Sequence, residues 1–209
     1  MSQRRGLSLI ELIFTIVIIA IVFTVIPKVI LSLNKSDKFA IRQDALFNGL
    51  SLVQMISKLP WDEKNVVQTD ILHVTSGNFK CDENSTRRIG GFVGSRNCEN
   101  DLNASIISSD GITDYNNFND IDDFNNTDIN ASYYGLHVKA NYIDDNIVYN
   151  NQKASFILNK SPKNNTTNLK MVDVNISYQG KRGKARQISS FNYISSNIGQ
   201  VTLNKRVWK

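Results

Sequence analysis

The chain has 209 residues, of which 41% are hydrophobic and 21% are charged, with 3 Pro, 11 Gly and 2 Cys. This composition excludes a collagen, a low-complexity chain and a disulfide-dense mini-protein, and its 26 Asn residues favour turns and polar surface over a second large core. The net charge of +5 is segregated, with +4 in residues 1–98, −9 in residues 99–150 and +10 in residues 151–209. Such blocks either pair within one fold or steer a charged partner, and the sequence leaves both open.

An apolar run close to the N-terminus predicts a membrane-spanning helix over residues 7–26. Its polar members are Ser8, Glu11, Thr15 and Thr24. At about 1.5 Å per residue the run covers about 30 Å, the thickness of the hydrocarbon core of a bilayer. The basic leader, with Arg4 and Arg5, predicts that the N-terminus stays cytoplasmic while the rest enters the periplasm. A cleavable signal peptide is disfavoured because no small-residue cleavage pattern follows the run.

Glu11 is the acidic residue within this run. An ionised, unpaired carboxylate in an apolar span is costly and marks a functional site that has a partner. Cleavage after Gly6 would create an α-amino group at Leu7, four residues before Glu11, on the same chain or on a neighbouring one. We therefore predict that Glu11 is an assembly charge that sets the register between neighbouring chains.

These residues resemble the class III signal of type IV prepilins and pseudopilins. The shared features are the basic leader ending in Gly6, the hydrophobic Leu7, the spacing to Glu11 and the apolar run that follows. The resemblance implies cleavage after Gly6 by a prepilin peptidase, N-methylation of Leu7 and packing of the N-terminal helices in a filament. It also implies other pilin or pseudopilin subunits and an inner-membrane assembly platform as partners. Leu7 departs from the Phe that is most common at that position in the family.

Three scattered segments are similar to the D-type minor pilins of mannose-sensitive haemagglutinin (MSHA) type pili. These are Pro60–Glu63, Asp120–Asn125 and Tyr193–Asn197. The resemblance implies this subtype within the wider family.

Beyond the apolar run, the pattern predicts that the helix continues. Pro27 should kink or open it, and an amphipathic stripe of Phe39, Leu46, Leu50 and Val53 carries it to residue 59, before Pro60. The predicted organisation is a leader (1–6), a transmembrane or filament-core helix (7–26), its amphipathic continuation (27–59) and an exported, globular, β-rich domain (60–209).

Alternating residues predict strands in the exported domain. The predicted strands are 71–75, 133–143, 154–158, 172–178 and 185–194, with a hairpin turn at 179–183. We therefore expect an α+β, pilin-like fold in which the long N-terminal helix packs on an antiparallel β-sheet.

Two features of the exported part suggest a cross-link or a metal. We expect Cys81 and Cys98 to form a disulfide rather than free thiols, because the compartment is oxidising. Asp120, Asp122 and Asp123 offer oxygen ligands for Ca²⁺, yet they lack the Gly and distal Glu of an EF-hand loop. We expect Asx turns and caps on exposed loops there instead, and we predict no other cofactor.

No catalytic signature accompanies these features. A P-loop, a dinucleotide fingerprint and a G-x-S-x-G motif are missing, and His73 and His137 are interpreted as ordinary strand residues. The basic C-terminal residues, 181–186 and 205–209, are expected to be solvated or to meet an acidic surface rather than nucleic acid.

The sequence therefore predicts a non-enzymatic minor pilin or pseudopilin of a type IV pilus-like or type II secretion filament. The alternative is a membrane-anchored exported binding protein, an adhesin or a calcium binder, that uses the helix only as a tether. An anchored enzyme ranks third.

Overall fold

The structure is a computed structural model of the chain. It describes residues 8–67, 71–76, 81, 98, 102–107, 111–150, 153–156, 158–179 and 185–198. The chain divides into two compact units, residues 1–44 and residues 45–209, and helix α1 (Leu9–Ile56) contributes to both. The processing residues Gly6 and Leu7, the turn residues 180–183 and the C-terminal residues 199–209 lie outside the described residues.

Helix α1 continues through Pro27, as expected from the pattern that resumes after this proline. It ends at Ile56 rather than at residue 59 because the chain tightens there. The N–H groups of Lys58 and Leu59 donate to the carbonyls three residues earlier, those of Met55 and Ile56, in the turn that leads to Pro60.

In the first unit, α1 exposes its large apolar side chains. Every one from Leu9 to Leu33 is at least 43% exposed in the isolated chain. Among the described residues, α1 is the one helix that is long and apolar enough to cross a membrane, by length and composition. Such a surface requires lipid or other protein to cover it.

The second unit is built on a four-stranded antiparallel sheet in the order β1-β2-β5-β6. Two further strands, β3 and β4, form a separate antiparallel pair, and a short helix, α2 (Glu63–Val67), precedes the strands. The strands are β1 (Thr127–Asn130), β2 (Tyr134–Ile143), β3 (Ile147–Asn150), β4 (Lys153–Phe156), β5 (Leu169–Gln179) and β6 (Ala185–Ser196).

The predicted strand at 71–75 is wrong. Only an isolated parallel bridge between His73 and Asn103 is present there. The side chain of Asn197 takes the place of a neighbouring strand, since it accepts a hydrogen bond from the Leu72 N–H at 3.1 Å and donates one to the Leu72 carbonyl at 2.7 Å. The short strands β1 and β3 were not predicted, and β4 begins one residue earlier and ends two residues earlier than its predicted range.

The core of the second unit lies between the last turns of α1 and one face of the sheet. The helix buries Ala45, Gly49, Leu52 and Ile56. Facing residues on β2 and β5 form the other side in three cross-strand pairs, Leu136–Ile176, Val138–Val174 and Ala140–Val172. This arrangement confirms the predicted α+β, pilin-like architecture.

The predicted apolar stripe on α1 is wrong, because a different set of residues, Ala45, Gly49, Leu52 and Ile56, faces the sheet. Phe39 is 70% exposed and Leu50 is 41% exposed. A Cβ atom on Gly49 would lie 2.6 Å from Ile176 Cδ1 and 3.3 Å from Phe191 Cε2. A side chain at this position would therefore require Ile176 Cδ1 to shift and would pack tightly against Phe191.

Candidate functional site

The first candidate site is the start of α1. Ser8 immediately precedes the helix, and its carbonyl accepts hydrogen bonds from the Glu11 N–H at 3.0 Å and the Leu12 N–H at 3.2 Å. The Ser8 hydroxyl also lies 3.4 Å from the Glu11 backbone nitrogen. A Ser followed three residues later by Glu is the pattern of a capping box.

Its place in the first turn of α1 exposes Glu11 to the positive potential of the helix N-terminus, in addition to that of the expected Leu7 α-amino group. The first turn of a helix carries unpaired N–H groups and the positive end of the macrodipole, which together favour a carboxylate. Glu11 is exposed and lies in a largely apolar helical surface. The arrangement is suited to membrane insertion or packing against another helix.

A second candidate site is buried in the β-rich unit around Lys170, on β5. The Lys170 and Asp62 side chains are 0% exposed and that of Asp122 is 4% exposed. Lys170 Nζ lies 2.7 Å from Asp122 Oδ1, 2.8 Å from Asp122 Oδ2 and 3.2 Å from Asp62 Oδ2. We call these three residues, with the rings of Trp61 and Tyr142, the Lys170 cluster.

Aromatic rings enclose the charged groups of the Lys170 cluster. Lys170 Nζ lies 4.1 Å from the centre of the Trp61 ring and 5.0 Å from that of Tyr142. It also donates a hydrogen bond to the Trp61 carbonyl at 2.8 Å. Such contacts stabilise an ammonium group that has left water.

Ser105 fixes the second carboxylate of the cluster. Its N–H and its hydroxyl donate to Asp62 Oδ2 at 2.9 and 2.8 Å, and its carbonyl accepts from the Tyr142 hydroxyl at 2.6 Å. Asp62 Oδ1 accepts from the Lys64 N–H at 3.1 Å, at the start of α2. Both oxygens of this buried carboxylate are therefore held in place.

The acidic turn at 120–124 forms one wall of the cluster, and the prediction that it is an exposed loop is wrong. Counted as whole residues, Asp120, Asp122 and Asp123 are 1%, 3% and 4% exposed. Asx caps do form there: Asp120 Oδ1 accepts from the N–H groups of Asp122 at 2.8 Å and Asp123 at 3.1 Å, and Asp123 Oδ2 accepts from that of Asn119 at 2.7 Å. The turn faces inward because Phe124 and Ile121 are buried beside these carboxylates.

Burial shifts the titration of two of these carboxyl groups. Desolvation, reinforced by the neighbouring Asp122 carboxylate, raises the pKa of Asp120 to about 8. Desolvation also raises the pKa of Asp122 to about 6, although the Lys170 ammonium group opposes that shift. Asp120 is therefore largely protonated at neutral pH.

The same contacts bear on the calcium alternative. Lys170 Nζ already supplies a positive charge beside Asp122. In the described part of the chain, no group of three or more His, Cys, Asp or Glu side chains is arranged as metal ligands. Calcium binding by Asp120, Asp122 and Asp123 stays the less favoured alternative to Asx turns and caps.

The remaining sequence-derived candidates lie apart from the Lys170 cluster. Cys81 and Cys98 are joined by a disulfide with Cα atoms 6.1 Å apart, and both pack with Ile71 in a small apolar cluster. His137 lies on β2 and its Nδ1 is 2.8 Å from Asp128 Oδ1 on β1, in an exposed pair.

Sequence reasoning did not identify Lys170 as a site residue. Its partners Asp62 and Asp122 lie 108 and 48 positions away along the chain. The available signal was a lysine next to the apolar residues of the clearest predicted strand. The segments Pro60–Glu63 and Asp120–Asn125, noted separately in the sequence, meet at this cluster, where the Ile121 N–H donates to the Pro60 carbonyl at 3.1 Å.

Comparison with known families identifies the N-terminal signal. Residues 1–27 match the family described as the prokaryotic N-terminal methylation motif. The predicted class III signal is thereby confirmed, and it supports a type IV pilin or pseudopilin subunit. No curated protein and no solved structure is significantly similar to the chain.

Proposed function

We propose that the protein is a minor pilin or pseudopilin that helps to assemble or prime a type IV pilus-like or type II secretion filament. The observation that carries this proposal is the methylation motif over residues 1–27, which leads into a helix whose apolar side chains are exposed as far as Leu33. The motif points to a structural subunit, and the proposed role involves no catalysis. Residues 45–209 supply the folded, exported part.

The proposed mechanism begins at the membrane. A prepilin peptidase cuts after Gly6, and Leu7 becomes the methylated first residue. The subunit then leaves the bilayer sideways and enters the base of a filament through the inner-membrane assembly platform. Glu11 docks against the Leu7 amine of an adjacent subunit, where the low dielectric strengthens their attraction and penalises any register that leaves the carboxylate unpaired.

The processing step is tested on protein isolated from the membranes of its own host. Mass spectrometry of the mature chain should find a methylated Leu7 at the N-terminus. An intact leader from Met1 to Gly6 would instead support the alternative of a tethered binding protein, because a tether does not require cleavage.

The assembly step is tested with Glu11→Ala. We expect normal export and cleavage but a strong loss of the protein from sheared filaments, measured by immunoblotting. Asp37→Ala is the matched control, since it removes an exposed carboxylate of the same helix outside the apolar run, and it should assemble normally. Equal incorporation of both variants would refute the role assigned to Glu11.

For the subtype, we propose a D-type minor pilin of MSHA-type pili, on the three segments similar to that group. The genes beside this one should then encode MSHA-type pilus components. Secretion-system genes in that position would assign the protein to a type II secretion filament.

A further inference from the structure

Lys170 is held against a carboxyl carbon. An ammonium group has three N–H donors, and the acceptors around Nζ are the Trp61 carbonyl, Asp62 and Asp122. Both oxygens of Asp122 lie within 2.8 Å of Nζ. The nitrogen must therefore lie close to Cγ of that carboxyl group, which joins the two oxygens.

Burial of these ions is difficult to explain as a source of stability. Removing an ammonium group and two carboxylates from water costs several kcal/mol per ion, and apolar residues of similar volume often serve as well or better. Condensation of one ion pair into a neutral amide would remove two of the buried charges. The Asp62 carboxylate would remain, still held by the Ser105 N–H and hydroxyl and by the Lys64 N–H.

We propose that Lys170 Nζ and Asp122 Cγ form an intramolecular amide bond, with Asp62 as the group that transfers protons. The neutral amine attacks Cγ of the protonated carboxyl group, so that a C–N bond forms. Asp62 accepts a proton from the nitrogen and returns it to the departing hydroxyl as the C–O bond breaks. One water molecule leaves, and the step needs no oxidant, reductant or activated co-reactant.

The geometry supplies what this condensation requires. The reacting groups are fixed in contact, and such positioning replaces a bimolecular encounter. Asp62 contacts Nζ at 3.2 Å and is itself held by Ser105. The Trp61 and Tyr142 rings cover the site, which disfavours hydrolysis of the product.

Proton distribution in the cluster favours the same reaction. The raised pKa of Asp122, about 6, eases transfer of a proton from the lysine to this carboxyl group. Asp120 and Asp123 lie on the same turn, and the Asp120 carboxyl group is largely neutral at pH 7. The cross-link would tie the acidic turn to the central strand β5.

Tryptic mapping of the full-length wild-type protein tests the bond. After reduction of the disulfide, the cross-link should appear as one species that joins residues 97–139 to residues 164–181, with no cleavage after Lys170 and a mass deficit of one water molecule. Lys163 is the internal control, because its ion pair with Asp144 is longer, at 3.4 Å, and partly exposed. Cleavage after Lys163 should be complete.

Two results with the wild-type protein would overturn the proposal. One is recovery of residues 97–139 and 164–170 as unlinked peptides from folded protein. The other is a link between Lys170 and residues 59–64, because that would make Asp62 the reacting acid. Neither result depends on the folding of a variant.

Variants separate the roles of the two carboxylates. Lys170→Arg should abolish the cross-link, whereas Asp122→Asn should give a product of the same mass as the wild type, since the amide would lose ammonia instead of water. Asp62→Ala keeps both reacting groups and should slow cross-linking at least tenfold, followed by intact mass after synthesis. Cross-linking of Asp62→Ala at the wild-type rate would refute the proton-transfer role.

Discussion

Asp120→Asn should stabilise the β-rich unit at alkaline pH and change little at acidic pH. Asp120 is 1% exposed, and desolvation by burial is the largest cause that raises its pKa from 3.8 to about 8. A folded-state pKa above the unfolded value means that the folded chain binds the proton more tightly. The stabilising contribution of Asp120 is therefore complete below about pH 4 and is lost as the pH rises through about 8.

The size of this change in stability with pH follows from the pKa shift of Asp120. One pKa unit corresponds to about 1.4 kcal/mol, so the wild type should lose about 3 to 4 kcal/mol from this group between about pH 5 and pH 8. Asparagine imitates the protonated acid and does not titrate. It keeps the oxygen that accepts hydrogen bonds from the Asp122 and Asp123 N–H groups. The variant should therefore lack this component of the pH dependence.

Urea unfolding of the full chain in detergent measures the difference. Trp61 is buried in the Lys170 cluster, and Trp208→Phe leaves it as the single fluorescent reporter. The urea midpoint of Asp120→Asn relative to the parent should rise by about 1 M or more between about pH 5 and pH 8. The control is Asp114→Asn, at an exposed aspartate that caps the 3₁₀ turn Tyr115–Asn117, and the shift found for Asp120→Asn is compared with that of this variant at both pH values. A pH-independent difference for Asp120→Asn would refute the reasoning.

Two further predictions concern packing and the disulfide. Gly49→Ala should destabilise the β-rich unit by about 1 to 2 kcal/mol, because overpacking against Ile176 outweighs the gain in helix propensity. Ile176→Val removes the closest methyl group, so Gly49→Ala should cost less stability in that background than in the wild type, measured in the same urea assay. If the two substitutions changed the free energy of unfolding additively, the assigned contact would be contradicted. Replacement of Cys81 and Cys98 by Ser should lower the free energy of unfolding by about 3 kcal/mol. Identical urea midpoints for oxidised and reduced wild-type protein would contradict a stabilising disulfide.

The segregation of charge acquires a partial explanation from the structure. Lys170 belongs to the basic C-terminal block and Asp122 to the acidic middle block, and they meet in the core. Lys163 and Asp144 pair across the same two blocks near the surface. The blocks thus pair within one fold at these positions, which is one of the two outcomes that the sequence left open.

Local patterns were sufficient for several features. The apolar run with Glu11 near its start predicted the signal and the helix, since both depend on composition and on spacings of a few residues. Alternation at 172–178 predicted β5, and the turn residues after it predicted its pairing with β6. Because short segments of sequence encode these features, the predicted elements agree with the observed α1, β5 and β6.

Contacts between distant segments decided the rest. Only the packed structure shows that Gly49 faces the sheet while Phe39 and Leu50 are exposed, because the close approach depends on Ile176 and Phe191. Likewise, an acidic turn that is polar enough for solvent becomes buried once a lysine from a distant strand compensates its charge. Hydrophobic spacing is a property of one segment. Compensation of a buried charge requires contact between two distant segments, and a local sequence pattern does not show which segments make that contact.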